Sequence, residues 1–227
     1  MTLQTATPHH AAMTTALLQT TYFGPVQWYQ KLYRYDRCIV EQYDSYQKQT
    51  YRNRCIIATA NGLQALTVPV EHPSPDGHHA TAITKDLRIS DHNQWRRIHW
   101  NALQSAYSES PFFDYYQDDI RPFFEQKYEF LIDFNEAIRE KMCELLDIQP
   151  TVVHSSAFTP HHPSSDEKPV PSYADYRDVI HAKHPLFDPD FQPKAYWQVF
   201  QHKHGFQSNL SILDLLFCMG PEAIFYL

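Results

Sequence analysis

Two arginines separated by one residue are the most suggestive chemical feature of the sequence. Arg52 and Arg54 close a dense run of acidic, basic, phenolic and amide side chains that starts at Glu41. If a strand begins at Tyr51, side chains alternate along it, and both guanidinium groups lie on one face. Neighbouring guanidinium forks suit bidentate recognition of phosphate or carboxylate. The same arginines could instead form structural ion pairs with Glu41 or Asp44.

Aromatic and amide groups surround the arginine pair. The strand period places Tyr51, Asn53 and Cys55 on the opposite face, and Tyr46 and Lys48 come shortly before them. A guanidinium beside a thiol can favour the thiolate, so Cys55 is a candidate nucleophile if an arginine lies close to it. This stretch is locally basic although the whole chain has a formal net charge of −7. It is the predicted binding site for an anionic small molecule.

The end of the first predicted strand is a second candidate site. Gln19 is followed by Tyr22 and Phe23, and Gly24-Pro25 then stops the strand. In α/β folds, ligands commonly bind outside the carboxyl ends of the strands. Gln19 could therefore orient a ligand against the two aromatic faces, or the turn could be buried and purely structural.

Proton transfer would require a titratable group near these sites. Trp95 and His99 are four residues apart and share one face of a predicted helix. A histidine beside an indole could act as a general base with a tuned pKa, and Glu41 is the second candidate for this role. A packed, hydrogen-bonded helix residue is the structural alternative for His99.

Histidine pairs recur along the chain without the spacing of a metal site. They are His9-His10, His78-His79, His161-His162, His181 with His184, and His202 with His204. None belongs to an H-x-x-x-H pattern with a third ligand, so we expect surface histidines and no metal. The five glycines form neither a G-x-G-x-x-G nor a G-x-x-x-x-G-K motif. This excludes a Walker-type NTPase and a standard dinucleotide site as first interpretations, and no cofactor is predicted.

Alternating strand and helix patterns provide the elements that would position these residues. The predicted elements are a strand at 13–23, a helix at 26–35, a strand at 38–41, paired strands at 51–59 and 63–70, and a strand at 83–89. Asn61-Gly62 between two apolar runs is the strongest short signal for a hairpin. Three helices follow, at 93–107, 113–124 and 128–146.

These patterns predict an α/β or α+β fold: a small mixed sheet with a hairpin, a helical half, and a docked helical C-terminal tail. Residues 1–13 are expected to be a disordered leader, and 14–150 form the main α/β domain. Residues 151–194 are rich in Pro, His and Ser and are predicted to be an irregular excursion. Residues 195–227 form the tail, whose apolar stretch must pack on the main domain.

Charge and composition exclude several partners. The 26 acidic residues outnumber the 19 basic ones, whereas nucleic-acid binding depends on clustered lysine and arginine. Residues 1–13 contain no Lys or Arg and no sustained apolar run, which argues against a secretory signal. No apolar stretch approaches the roughly 20 residues that span a bilayer. We therefore expect a cytoplasmic protein with a small-molecule substrate, no membrane insertion and no nucleic-acid partner.

Several motifs follow one another in a specific order from Gln19 onward. They are Tyr46-Gln47-Lys48-Gln49, Tyr51-Arg52-Asn53-Arg54, Asn61-Gly62, Leu66-Thr67-Val68-Pro69-Val70, Trp95, His99, Tyr107 and Ser110-Pro111-Phe112-Phe113. In this combination the chain resembles the WbqC-like protein family of bacteria. The tail resembles the branch found in Bacteroides relatives, through Gly205-Phe206, Asn209-Leu210-Ser211, Asp214-Leu215-Leu216-Phe217 and Gly220-Pro221.

The resemblance implies a link to bacterial surface-polysaccharide gene clusters and to amino-sugar or acyl transfer. A transferase of this kind would move an acyl or aminoacyl group onto an activated sugar, with His99 or Glu41 as base. Arg52 and Arg54 would hold a phosphate or carboxylate. The residues that would stack on the sugar or base are Tyr22, Phe23, Tyr46 and Trp95.

Two other functions are compatible with the same residues to different degrees. A non-catalytic module could bind a nucleotide-linked sugar or a partner protein in the same aromatic, arginine-lined cleft. A nucleotidylyltransferase shares the order of strand, proline turn and helix at the start of the chain. Its paired-histidine phosphate motif is missing from that turn, which disfavours this third function.

Overall fold

The computed structural model describes residues 14–71, 82–160 and 173–227, and the predicted leader at 1–13 lies outside them. In chain order the elements are β1 (Thr15–Gln19), α1 (Val26–Arg34), β2 (Arg37–Glu41), β3 (Arg54–Thr59), β4 (Gly62–Thr67), α2 (Trp95–Tyr107), α3 (Phe113–Ile120), α4 (Pro122–Glu125), α5 (Leu131–Leu145), β5 (Val152–His154), β6 (Tyr173–Asp175), α6 (Gln201–His204) and α7 (Ile212–Met219). Short 3₁₀ turns lie at Thr84–Asp86, His92–Gln94 and Gly220–Tyr226.

Four parallel strands form the main sheet, in the order β5-β2-β1-β6. The central strand β1 contains the consecutive residues Ala16, Leu17 and Leu18, none of which is more than 1% exposed. A continuous apolar run is typical of a parallel strand that is buried on both faces. Helix α1 provides the crossover from β1 to β2, since parallel neighbours cannot be joined by a tight turn.

Both outer strands of this sheet come from the stretch 151–194, which the sequence predicts to be irregular. Val152–His154 pairs with β2 and Tyr173–Asp175 pairs with β1. Strands of three residues are too short to show a periodic pattern, so pairing with a longer neighbour decides their conformation. Residues 155–160 and 176–194 contain no helix or strand. The division of the chain into domains stays a prediction.

The predicted hairpin is confirmed, and it forms its own two-stranded sheet instead of joining a mixed one. Strands β3 and β4 pair antiparallel on either side of Asn61-Gly62. Gly62 has a φ of 105°, a conformation that glycine adopts without steric cost. The first hairpin strand begins at Arg54 and not at Tyr51, because Tyr51–Asn53 form a turn.

The helical middle is confirmed with one interruption. The predicted helix at 113–124 is divided into α3 and α4 at Pro122, which has no backbone N–H to continue the first helix. The predicted strand at 83–89 is wrong, because only isolated bridges form there. Ile83 pairs with Ser45, Arg88 with Phe130, and Ile89 with Val70.

The C-terminal tail docks through backbone hydrogen bonds as well as through apolar packing. The amide of Ser211 donates to the carbonyl oxygen of Ile56 over 2.8 Å, and that of Ile212 to Gly24 over 2.9 Å. Seven consecutive residues of α7, from Ile212 to Cys218, are buried. The tail therefore covers the start of α1 and contacts the hairpin strand β3 at Ile56.

One buried carboxylate fixes the tail against the helical half. Asp214, 1% exposed, accepts hydrogen bonds from the hydroxyls of Tyr107 (2.8 Å) and Tyr196 (2.7 Å) and from Nε2 of Gln198 (2.8 Å). Burial raises the pKa of this carboxyl, and the three donors partly oppose the shift. The network joins the end of α2 to two parts of the tail.

Replacing Asp214 by alanine should lower the free energy of unfolding by about 3–5 kcal/mol, because three buried donors would lose their acceptor. Urea denaturation monitored by circular dichroism measures this change. Glu222→Ala alters an exposed acidic residue of the same tail and should change the free energy by less than about 0.5 kcal/mol. Equal losses in both variants would contradict a role for the buried network.

An ion pair ties the outer strand β5 to α5. His154 at the end of β5 contacts the carboxylate of Glu136. The hydrogen bond to Glu136 raises the pKa of His154, and burial opposes this shift. Burial alone would raise the pKa of Glu136, but hydrogen bonds from His154 and Arg139 outweigh it and lower that pKa.

This pair predicts a pH-dependent stability. The folded-state pKa of His154 lies above its unfolded value of about 6.5, so the contribution is complete below that pH and is lost as the pH rises through the folded pKa. The difference in unfolding free energy between the wild type and His154→Gln should shrink from about pH 6 to about pH 9. His202→Gln, at an exposed position of α6, should show no such trend. A difference that grows with pH would contradict the prediction.

Candidate functional site

The carboxyl ends of the parallel strands bring several predicted site residues to one edge of the sheet. Gln19 ends β1 and is in register with Glu41, which ends β2. Asp175 ends β6 on the other side of β1. This is the edge at which open α/β sheets bind their ligands, so each polar group there needs to be located.

Glu41 is buried and fully hydrogen-bonded. Its carboxylate accepts from the amide of Tyr43 (2.8 Å), the hydroxyl of Ser155 (2.7 Å) and the amide of Thr159 (3.0 Å). The guanidinium of Arg177 lies 3.7 Å away and also binds Asp175 through two nitrogens. The side chains of Glu41 and Arg177 are both 0% exposed. This carboxylate holds loops together, and no cleft reaches it among the described residues.

Gln19 is also buried, and it fastens the segment that follows β6. Its Nε2 donates to the carbonyl oxygen of Ile180 over 2.5 Å. The main-chain carbonyl oxygen of Gln19 accepts a hydrogen bond from the indole nitrogen of Trp28 over 2.9 Å. The side-chain oxygen Oε1 is buried and has no hydrogen-bond partner among the described residues. Gln19 therefore places Ile180 and the residue after it at the sheet edge.

The two predicted anion-binding arginines do not share an open face. Arg52 is buried and forms an ion pair with Asp44, which also accepts from the hydroxyl of Thr84. Arg54 lies on the hairpin, where its Nε donates to the hydroxyl of Thr67 over 3.1 Å. Because Tyr51–Asn53 form a turn, the strand period that would align the two guanidinium groups does not apply. Arg52 therefore forms a structural ion pair with Asp44, which is the alternative that the sequence left open.

The neighbouring residues of the predicted patch have separate environments. Asn53 is buried and donates to the carbonyl oxygen of Val68 over 2.8 Å. Burial raises the pKa of Tyr46 although arginines lie nearby. Lys48 is exposed. Burial also raises the pKa of Cys55 to about 12, so this thiol is not an activated nucleophile. Of this group, Tyr51 is the residue that lines a cleft.

His99 lies inside an aromatic cluster. Its Nδ1 is 2.9 Å from the hydroxyl of Tyr22, and its ring packs 5.1 Å from that of Trp95. Burial lowers the pKa of His99 to about 4, although a hydrogen bond to the backbone of Thr67 opposes the shift. Phe23 packs edge-on against Tyr22 at 5.1 Å. His99 is thus neutral and hydrogen-bonded within the cluster, and it lines none of the described clefts.

A cleft of about 450 Å³ lies beside this edge, between the hairpin and the loops at 181–185 and 208–210. We call it the carboxyl-edge cleft; the residues that matter most are Tyr51, Ile56, Ala65, His181, Ala182 and Asn209. Both of its walls are anchored at the end of β1. The amide of Tyr22 binds the carbonyl oxygen of Tyr51 over 2.9 Å, and Gln19 binds that of Ile180.

His181 is the functional candidate that the sequence does not single out. Its Nδ1 accepts from the amides of Lys183 (3.1 Å) and His184 (3.2 Å). Burial lowers its pKa, and the nearby His184 and Arg52 lower it further. The ring is therefore neutral near pH 7, with its proton on Nε2, where it can act as a hydrogen-bond donor. The sequence shows this residue only as one of several histidine pairs.

The described residues contain no cluster of three or more His, Cys, Asp or Glu side chains arranged to hold a metal ion. The pairs at 9–10, 78–79 and 161–162 lie outside the described ranges. Among the helices of the described ranges, none is long and apolar enough to cross a membrane.

Comparison with known proteins agrees with the motif order in the sequence. The uncharacterized protein Rv1507c of Mycobacterium tuberculosis (strain ATCC 25618 / H37Rv) is 28% identical over 234 residues, which cover 93% of this chain and 96% of that protein. No solved structure matches the chain. The model of the WbqC-like protein family matches residues 19–226. The chain belongs to the WbqC-like protein family.

Proposed function

We propose that this is a cytoplasmic protein that binds an activated sugar, phosphorylated or nucleotide-linked, in the carboxyl-edge cleft. The observation that carries this proposal is the position of the cleft beside the carboxyl edge of the sheet, with His181 in its wall and the Nδ1 of that ring held by two backbone amides. Its biological setting, surface-polysaccharide biosynthesis in bacteria, rests on the family resemblance. The function of the protein is then to hold such a sugar in a defined orientation.

The strand order supports the choice of this cleft. From the central strand β1 the chain passes to β2 on one side, while β6 lies on the other side. The loop after β1 and the segment after β6 therefore leave neighbouring strands at the same edge of the sheet, where α/β folds commonly bind ligands. Gln19, the last residue of β1, is hydrogen-bonded to Ile180 of the segment after β6. A ligand in the carboxyl-edge cleft would lie beside this contact.

The lining suits a sugar that carries an anionic group. His181 can donate from Nε2 to a phosphate oxygen without the cost of burying its own charge. Arg52 is close enough to contribute to the lowered pKa of His181, and its own charge is paired with Asp44. Tyr51, 8% exposed, contributes part of its aromatic ring to the cleft wall, against which a sugar ring can pack.

Binding is the function that the geometry supports best, because neither predicted base can reach a ligand. Glu41 is surrounded by its own donors and is 0% exposed. His99 is 4% exposed and is held by Tyr22. A general base needs hydrogen-bond reach to the proton that it removes.

Acyl or aminoacyl transfer to the bound sugar is the second candidate, and the tautomer of His181 favours it. In acyl transfer, negative charge develops on the carbonyl oxygen of the donor, and a fixed N–H group stabilises it. His181 could supply that N–H group. Under this candidate, the amine of glucosamine 1-phosphate attacks an acyl thioester, the C–S bond breaks, and the amine proton passes to water. Mass spectrometry should then detect the amide product and the released thiol. His181→Ala should then reduce turnover more than binding, while retained turnover in His99→Ala would exclude His99 as the base.

The binding proposal is tested by calorimetric titration with N-acetylglucosamine 1-phosphate. His181→Ala should weaken binding by roughly tenfold or more, because a hydrogen bond to a charged group is lost. Ala65→Phe should abolish binding, since it adds a ring at an exposed position of the cleft wall. His202→Ala is the matched control, an exposed histidine outside the cleft, and should bind like the wild type. Unchanged binding in Ala65→Phe would refute the proposed location.

A further inference from the structure

A second concave surface lies between α2 and α4, and it shares no lining residue with the carboxyl-edge cleft. We call it the arginine groove; its volume is about 370 Å³, and its lining includes Arg96, Arg97, Trp100, Arg121, Phe124 and one acidic residue, Glu125. The first two come from the first turn of α2, and Arg121 immediately precedes α4. Three guanidinium groups thus surround one small depression.

The floor of the groove is aromatic and firmly packed. The ring of Trp100 lies 5.7 Å from that of Phe124 and 6.0 Å from that of Phe113. Trp100 is only partly buried, so one portion of its indole remains accessible. An indole fixed by neighbouring rings offers a flat surface on which a planar ring can stack without ordering a mobile side chain.

Positive charge exceeds negative charge around this floor. Arg121 pairs with Glu125 over 2.6 Å, and Asp91 is shared between Arg96 and Lys127. Lys127 and Arg96 lower the pKa of Asp91 to about 2, so this carboxylate stays ionised. Its single negative charge is shared between two positive charges. Arg97 is exposed and has no ion pair within the described ranges. The first turn of α2 contains no acidic side chain.

We propose that the arginine groove is a second ligand site, which binds the nucleoside diphosphate portion of a ligand. The base stacks on Trp100, and the diphosphate binds the guanidinium groups of Arg96, Arg97 and Arg121. Guanidinium forks match phosphate oxygens in geometry and charge, which explains why Arg97 is left without a carboxylate. The arginines alone would suit any small anion. The fixed aromatic floor beside them favours a ligand that also carries a planar base.

This mode of binding requires no glycine-rich loop. A loop-cradled nucleotide is held by backbone N–H groups, and the chain has only five glycines. Side-chain guanidinium groups on two helices can neutralise the phosphates instead. The exclusion of Walker and dinucleotide motifs is therefore compatible with a nucleotide site on this helical surface.

The test is calorimetric titration of the full chain with ADP and, separately, with inorganic pyrophosphate. ADP should bind to the wild type, and Arg97→Ala should weaken it by roughly tenfold or more, because a charge-assisted contact is lost. Trp100→Phe keeps an aromatic floor with less surface, and it should weaken ADP but not pyrophosphate. Arg88→Ala changes another exposed arginine, paired with Glu129 outside the groove, and should leave ADP binding unchanged.

Three results would overturn the assignment. Absence of ADP binding to the wild type would remove the site, as would equal effects of Arg97→Ala and Arg88→Ala. If pyrophosphate bound as tightly as ADP, stacking of the base on Trp100 would contribute nothing to binding. Ala65→Phe, which fills the carboxyl-edge cleft, separates this inference from the proposed function. ADP binding should survive that substitution, and its loss would place ADP in the cleft instead of the groove.

Discussion

The buried contact between Glu41 and Arg177 is the constraint on which the carboxyl edge of the sheet depends. It joins the end of β2 to the segment after β6, across the central strand β1. Two charges at 0% exposure are tolerated only if each is paired and hydrogen-bonded. Asp175, Ser155 and the amide of Thr159 meet that requirement. Since each outer strand pairs over only three residues, this network fixes the loops that the short sheet alone would hold weakly.

The same principle accounts for most of the polar residues that make the sequence look catalytic. Asp44 with Arg52 and Asp214 with its three donors are buried networks that join segments distant in the chain. A group that is already satisfied in the interior cannot bind a substrate without breaking its own contacts. Residue type and spacing show where polar residues are concentrated in the chain, but they do not distinguish groups that face inward from groups that face a cleft.

The hairpin, the three long helical stretches and the apolar tail could be predicted because their patterns are local and long enough to repeat. The edge strands Val152–His154 and Tyr173–Asp175 could not, because their conformation comes from pairing with distant residues. The relative orientation of Arg52 and Arg54 could not be predicted for a related reason: a turn at Tyr51–Asn53 replaces the start of the strand. His181 was not distinguishable from other loop histidines, since its position depends on the contact between Gln19 and Ile180.

His99 gains a different meaning once its contacts are considered together. It lies on α2, the helix that carries the arginine groove. Its ring binds Tyr22, in the loop after β1, and the backbone of Thr67 on the hairpin. Its ring therefore joins the support of the groove to that of the carboxyl-edge cleft. A pKa of about 4 keeps the ring neutral at physiological pH, so its hydrogen bonds do not change with protonation there. A histidine that connects two candidate binding surfaces must keep one protonation state. A general base must instead change its protonation state during each reaction.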